Sequence, residues 1–262
     1  MKLVRFEFEG RQCYGILEGE RIIEFDGDLF NMGEKTGKTY DINEITFLPP
    51  VDPPKIICIG FNYRAHMREL REIATKKPTL TLKAQNSVLA HEQEIILPRN
   101  SRRVEHEAEL GIVIGKGGYR IKNPGEYILG YTIVNDITAR DIEREMIQWS
   151  ASKSFPTFCP VGPCIETDLD PSDLKIKCWI NKELRQDSRT SLMIYNAERL
   201  VEFVSQFMRL EKGDLIATGT VPGTGPLQNG DVIEIKIEGI GVLRNYVKRE
   251  ILDVKHIFNS EK

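Results

Sequence analysis

Glu107 and Glu109 stand two apart in the segment Glu107–Gly115 (EAELGIVIG), which is otherwise apolar and β-branched. Such a segment is expected as a central strand. Strand side chains at i and i+2 leave from one face, so both carboxylates point the same way. Two neighbouring carboxylates repel, and burial makes the conflict worse. A divalent cation relieves it, and oxygen-only donors suit a hard ion such as Mg²⁺, Mn²⁺ or Ca²⁺. Asp136 ends the apolar stretch that runs from Tyr127 to Asn135 (YILGYTIVN) and is the candidate third ligand. Spacing alone leaves two points open: the pair could face solvent on an edge strand, and Glu105, on the same face, could replace either member. His106 leaves from the other face and is not counted as a ligand.

These residues need a framework of strands. Residues 1–26 read as a meander of three short strands (KLVRFEF, YGILE, RIIEF) separated by turns that carry Gly. Residues 27–50, with Gly27, Gly33, Gly37 and Pro49-Pro50, read as a connection, which places a domain boundary near residue 50. Beyond it, strands are expected at Lys55–Gly60, Thr79–Lys83, Glu94–Leu97 and Lys175–Ile180. Asp231–Glu238 alternates Ile233, Ile235 and Ile237 with charged residues and should pair with Val242–Val247. Helices are expected at Asn62–Ala74 and Asn196–Met208, each with its Asn as N-cap, and at Ala139–Met146. The first of these is so polar that it should lie on the surface or act as a lid. The amphipathic face of the second holds Leu200, Val201, Val204, Phe207 and Met208. The sum is an α+β, mainly β fold.

Composition narrows the function. The 262 residues are 40% apolar and 29% charged with a net charge of −3, so no strong basic field invites nucleic acid. No apolar run reaches the ~18 residues of a membrane span. The charged, alternating N-terminus is not a signal peptide, so a cytoplasmic location is expected. Five cysteines, Cys13, Cys58, Cys159, Cys164 and Cys178, have neither disulfide nor metal spacing and read as buried small apolar residues.

Several motifs then follow in order: ICIGFNYRAHMREL from Ile57, Leu80–Lys83, VEHEAELGIVIGK from Val104, GYTIVNDITARD from Gly130, KSFPT from Lys153, VGP from Val161 and GDLIATG from Gly213. Gly230-Asp231 and GIG at Gly239 complete the set. In this order they resemble the fumarylacetoacetate hydrolase family. The resemblance implies a mixed β-roll or sandwich over residues 51–262, with residues 1–50 as a small β-rich N-terminal domain. It puts the metal on Glu107, Glu109 and Asp136, with Thr157 behind the ligands. It makes Lys153 catalytic and gives substrate contacts to Arg140, Gln186, Gly219 and Thr220.

His66 and Glu69 match an H-x-x-E pair of hydrolytic members. Residues three apart on a helix share a face. A carboxylate beside imidazole fixes its tautomer and raises its basicity, as activation of water requires. The chain departs from the family at Ser152 and Pro156, where Gly and Asp are usual, and at Val221, which interrupts Gly-Thr-Pro. These positions surround the substrate and put its identity in question.

The resemblance therefore implies a Mg²⁺-, Mn²⁺- or Ca²⁺-dependent enzyme acting on a small 2-oxo acid or β-dicarbonyl through an enolate. Hydrolytic C–C cleavage of an acylpyruvate is the leading expectation. Isomerisation, tautomerisation or decarboxylation of a 2-hydroxy-dienedioate or oxaloacetate is the alternative. A non-catalytic 2-oxo-acid-binding protein is the alternative of another class. A homodimer is implied, with no nucleic-acid or membrane partner.

Overall fold

The computed structural model describes residues 1–71 and 77–251, and every count below is of those residues. Strands dominate, as the β-branched segments require. The largest sheet has twelve strands. Its ordered path runs Asn31–Asp41, Arg21–Asp28, Arg11–Glu18, Lys2–Phe8, Cys159–Glu166, Ile128–Asn135, Ala108–Ile114, Leu215–Ala217, Ile56–Gly60 and Thr79–Lys83. The N-terminal meander thus extends this sheet, through Lys2–Phe8 paired antiparallel with Cys159–Glu166.

A five-stranded sheet stacks on the middle of the large one. Its order is Glu183–Arg189, Lys175–Ile180, Val232–Ile237, Gly241–Arg249 and Glu94–Leu97. Alternation decides what each face does. Ala108, Leu110, Ile112 and Ile114 share one buried cluster with Ile176, Cys178, Ile233, Ile235 and Ile237 between the sheets. Val113 joins Cys58, Val134, Leu215 and Ala217 in a second cluster on the other face. Glu109 therefore leaves the strand away from the sandwich core, whereas His106 faces it and contacts Gln186 of the second sheet. The fold is mainly β, with short helices at the sheet ends.

Four details differ from expectation. Residues 31–41 form a fourth meander strand rather than a connection; it is mostly exposed and pairs with irregular register around Gly33 and Gly37, so it carries no alternating apolar signal. The helix expected at Asn62–Ala74 spans Arg64–Leu70 and is capped by Tyr63. Asn62 does not cap it: its amide donates to Thr218 O (2.7 Å) and Tyr195 O (2.9 Å), tying the helix entry to two distant loops. The proposed end of that helix, at Ala74, lies outside the described residues. The later helix keeps its Asn196 cap, whose side chain accepts from Arg199 N–H, but stops at Val204, leaving Phe207 60% exposed. All five cysteines are buried and free. Among the described residues no helix is long and apolar enough to cross a membrane.

Candidate active site

Backbone pairing brings the acidic residues together. Glu107 sits at the break between Val104–His106 and Ala108–Ile114. There its N–H donates to Asn135 Oδ1 (3.0 Å) and its carbonyl accepts from Asp136 N–H (2.9 Å). The two chain segments are thus locked with Glu107 and Asp136 abreast. Glu109 follows one strand pair along, opposite Val134. The three side chains are buried, and each offers an oxygen within 4.8 Å of the other two. Oxygens sharing a hard dication at roughly 2.0–2.6 Å stand at most about 4–5 Å apart, so the spread and the donor type both fit such an ion.

Cations surround the cluster without neutralising all of it. Lys153, in the short helix Ser150–Lys153, donates to Asp136 Oδ2 (2.6 Å), Glu107 Oε2 (3.1 Å) and Thr138 Oγ1 (2.8 Å). Lys83 Nζ lies 2.5 Å from the other Asp136 oxygen and donates to the Phe158 carbonyl at 2.6 Å. Burial pushes Glu107 and Asp136 upward, but Lys153 with Arg140, and Lys153 with Lys83, hold them below the carboxylate range. Glu109 forms no ion pair among the described residues. Burial, then the charges of Asp136 and Glu107, raise it well above that range, against the more distant charge of Lys153 and one backbone donor, Gly219 N–H at 2.7 Å. Three converging carboxylates, one of them left without an ion-pair partner, form a donor set that a divalent cation would complete.

The cluster forms the floor of a cavity of about 180 Å³, also lined by Ile59, Phe61, His66, Leu70, Thr81, Glu143, Trp149 and Thr220. His66 is only 4% exposed, and its Nδ1 lies 3.2 Å from Glu69 Oε2. Glu69 is itself fixed by Gly223 N–H at 3.1 Å. One ring nitrogen is thereby engaged, leaving Nε2 for the cavity. The indole of Trp149 packs so closely over Gly60 that a Cβ there would lie 2.6 Å from the ring.

Residues 55–248 match the model of the fumarylacetoacetate (FAA) hydrolase C-terminal family, and residues 1–50 match Rv2993c-like, N-terminal. The chain belongs to the fumarylacetoacetate hydrolase family. It is 40% identical to the oxaloacetate tautomerase Fahd2a of Rattus norvegicus mitochondria, over 78% of this chain and 70% of that protein. Among solved structures it is similar to a 5-carboxymethyl-2-hydroxymuconate delta-isomerase from Mycobacterium smegmatis (38% identity, TM-score 0.89, 95% of this chain and 100% of that one). A maleylpyruvate hydrolase from Sphingobium sp. SYK-6, solved with manganese(II) and pyruvate, is 26% identical with a TM-score of 0.80 over 96% and 100% of the two chains.

Not every residue carried over from the family reaches the cavity. Among the described residues Thr157 makes no hydrogen bond to Glu107, Glu109 or Asp136. It sits in left-handed backbone (φ 70°) with its hydroxyl accepting from Ile96 N–H, and Thr138 occupies the place beside Lys153 instead. Gln186 is fully buried and does not line the cavity. Its amide accepts from Ala108 N–H and donates to Thr220 Oγ1 and the Val221 carbonyl, bracing the strand beneath Glu109. Gly219 contributes its N–H to Glu109, and its positive φ (97°) with Asn62 packed against it leaves no room for a side chain. Thr220 lines the cavity.

Arg140 lines the cavity, but its guanidinium is spent: Nε on Glu105 (2.8 Å), Nη1 on Glu143 (2.5 Å) and Nη2 on Glu107. This also removes Glu105 as a substitute ligand, since Arg103 takes its other oxygen at 2.6 Å. Lys83, Thr138 and Glu143 escaped the sequence reading. For Lys83 a signal existed: it shares a strand face with Thr81, and a lysine ending a short apolar strand on its inward side needs a buried partner.

Proposed function

We propose that this chain is a divalent-metal-dependent enzyme that moves a proton on a small 2-oxo acid, interconverting the keto and enol forms of an oxaloacetate-like substrate. One observation carries the reading: a buried imidazole, oriented by Glu69 at 3.2 Å, opens into the same cavity as three converging carboxylates. Glu107, Glu109 and Asp136 would hold the ion, with Mg²⁺ or Mn²⁺ matching the oxygen donors. When bound, it supplies Lewis acidity to the 2-oxo group and so acidifies the neighbouring carbon.

His66 then accepts that carbon's proton at Nε2. The Glu69 carboxylate stabilises the imidazolium and keeps Nδ1 engaged, so Nε2 delivers the same proton to the 2-oxo oxygen: the C–H bond is broken, an O–H bond is formed, and the imidazole is left neutral for the next turnover. Lys153, fixed by three acceptors, places a positive charge beside the oxygen on which charge develops. The cavity of about 180 Å³ is smaller than the roughly 300–1,000 Å³ of drug-sized sites, which suits a short acid. The likeness to the oxaloacetate tautomerase supports the same choice.

Hydrolytic C–C cleavage of an acylpyruvate is the second reading. The His66–Glu69 pair is equally able to deprotonate water, and the maleylpyruvate hydrolase likeness favours it. It stands second because an attacking water and a longer acyl group both need room. The test is turnover of oxaloacetate, acylpyruvates and hydroxy-dienedioates with Mg²⁺ or Mn²⁺, followed by enol absorbance and product mass. Faster keto–enol exchange at unchanged mass is expected. Two fragments would replace the proposal with hydrolysis, and released CO₂ with decarboxylation. A homodimer remains a proposal from the family resemblance, which light scattering tests as twice the 29.9 kDa chain mass.

A further inference from the structure

We infer that Arg144 selects for a second carboxylate on the substrate, so that the cavity takes 2-oxo dicarboxylates in preference to monocarboxylates; this rests on the reading of the cavity as a 2-oxo-acid site. Three cationic side chains line the cavity: Arg140, Lys153 and Arg144. The first two are fully committed. Arg140 holds Glu105, Glu107 and Glu143 through all three of its nitrogens, and Lys153 holds Glu107, Asp136 and Thr138. Pulling either away to receive a substrate carboxylate would strand a buried carboxylate without its partner, which is strongly unfavourable.

Arg144 is in a different position. It lies in the last turn of the helix Arg140–Glu145, one turn beyond Arg140, so i,i+4 spacing puts the two on one face. Arg144 is exposed yet lines the cavity, which places it at the rim, and no ion pair engages it among the described residues. The rim also carries an apolar wall, where the Phe61 and Trp149 rings meet edge to face at 5.3 Å. An acid gripped at the carboxylate floor by its 2-oxo end therefore presents its far end to a rim with one uncommitted guanidinium. A planar fork of donors pairs with a carboxylate in two parallel hydrogen bonds. A methyl group there gains only apolar contact.

The test is calorimetric binding of L-malate and 2-hydroxybutyrate to the full chain loaded with Mg²⁺. Both are four-carbon 2-hydroxy acids that chelate a metal without an oxo carbon to react, and only malate carries a distal carboxylate. The native chain should bind malate at least about tenfold more tightly, the strength of one charge-assisted hydrogen bond at a half-wet rim. Arg144→Gln should bring that ratio close to one, and Arg144→Lys should restore part of it. Arg144 is exposed and carries no ion pair among the described residues, so both variants should fold. An unchanged ratio in Arg144→Gln, or equal affinities in the native chain, would overturn the assignment while leaving the 2-oxo-acid site intact. A native chain that binds neither acid in the presence of Mg²⁺ would remove that site and this inference together.

Discussion

Two buried glutamates, one in the N-terminal meander and one in the cavity, show how burial alone separates from a site. Glu24 sits in the strand Arg21–Asp28 and is matched oxygen by oxygen, Arg11 Nη1 donating at 2.6 Å and Tyr40 Oη at 2.7 Å. The Arg11 hydrogen bond holds it below the ordinary carboxylate range against burial. Glu109 is equally buried but faces Glu107 and Asp136, whose cations are already spent on them, and it is pushed well above that range. The first arrangement is complete as it stands. The second is complete only with an added positive charge, and that deficit marks function where burial does not.

The contrast predicts opposite outcomes for the same chemical change. Glu109→Gln keeps an acceptor for Gly219 N–H and relieves the repulsion, so the metal-free fold should be at least as stable while turnover falls by about 10²–10³ or more. Thermal melting and the kcat of the same preparation check both halves. His66→Ala should lower kcat by about 10²–10⁴, as loss of a general base does, with Mn²⁺ affinity nearly unchanged. Native-like turnover in that variant would take proton transfer away from His66.

The pH dependence should also have opposite signs in the two regions. Glu109 is raised in the fold, so the metal-free protein gains stability below the ordinary glutamate pKa, about 4.3, and loses it as pH rises through the raised value. An incoming ion must displace that proton, so metal affinity should strengthen with pH over the same window. Glu24 is lowered, so its stabilisation is present above about 4.3 and is lost as pH falls through its folded value. Calorimetric titration of Mg²⁺ at several pH values reads the first. The smallest effect is Glu24→Gln, which should cost about 2–4 °C of melting temperature with turnover intact.

The parts legible in the sequence were those with a local period. Glu107-x-Glu109 in an apolar strand already states shared direction and charge conflict, and Asp136 after a second such strand states a partner. Illegible were relations between segments far apart in the chain. Lys83 reaches Asp136 across 53 positions, and nothing in its own neighbourhood names that partner. Arg140 was read as a substrate contact because its position fits, yet the sequence does not say that Glu105, Glu107 and Glu143 consume it. Thr157 and Gln186 show the same limit: motif order sets them near the site but does not name their actual partners, Ile96 N–H for Thr157 and Ala108 N–H for Gln186. The strand at Asn31–Asp41 was missed because its partner's backbone, rather than any buried face of its own, holds it in place.

The proposed chemistry requires one ion shared by Glu107, Glu109 and Asp136. Titrating Mn²⁺ into the metal-free protein, with free ion read by electron paramagnetic resonance, measures it without any substrate. One ion per chain is expected in the native protein, and none at the same concentrations in Glu109→Gln. Equal Mn²⁺ uptake by both proteins, or none by the native chain, would contradict it.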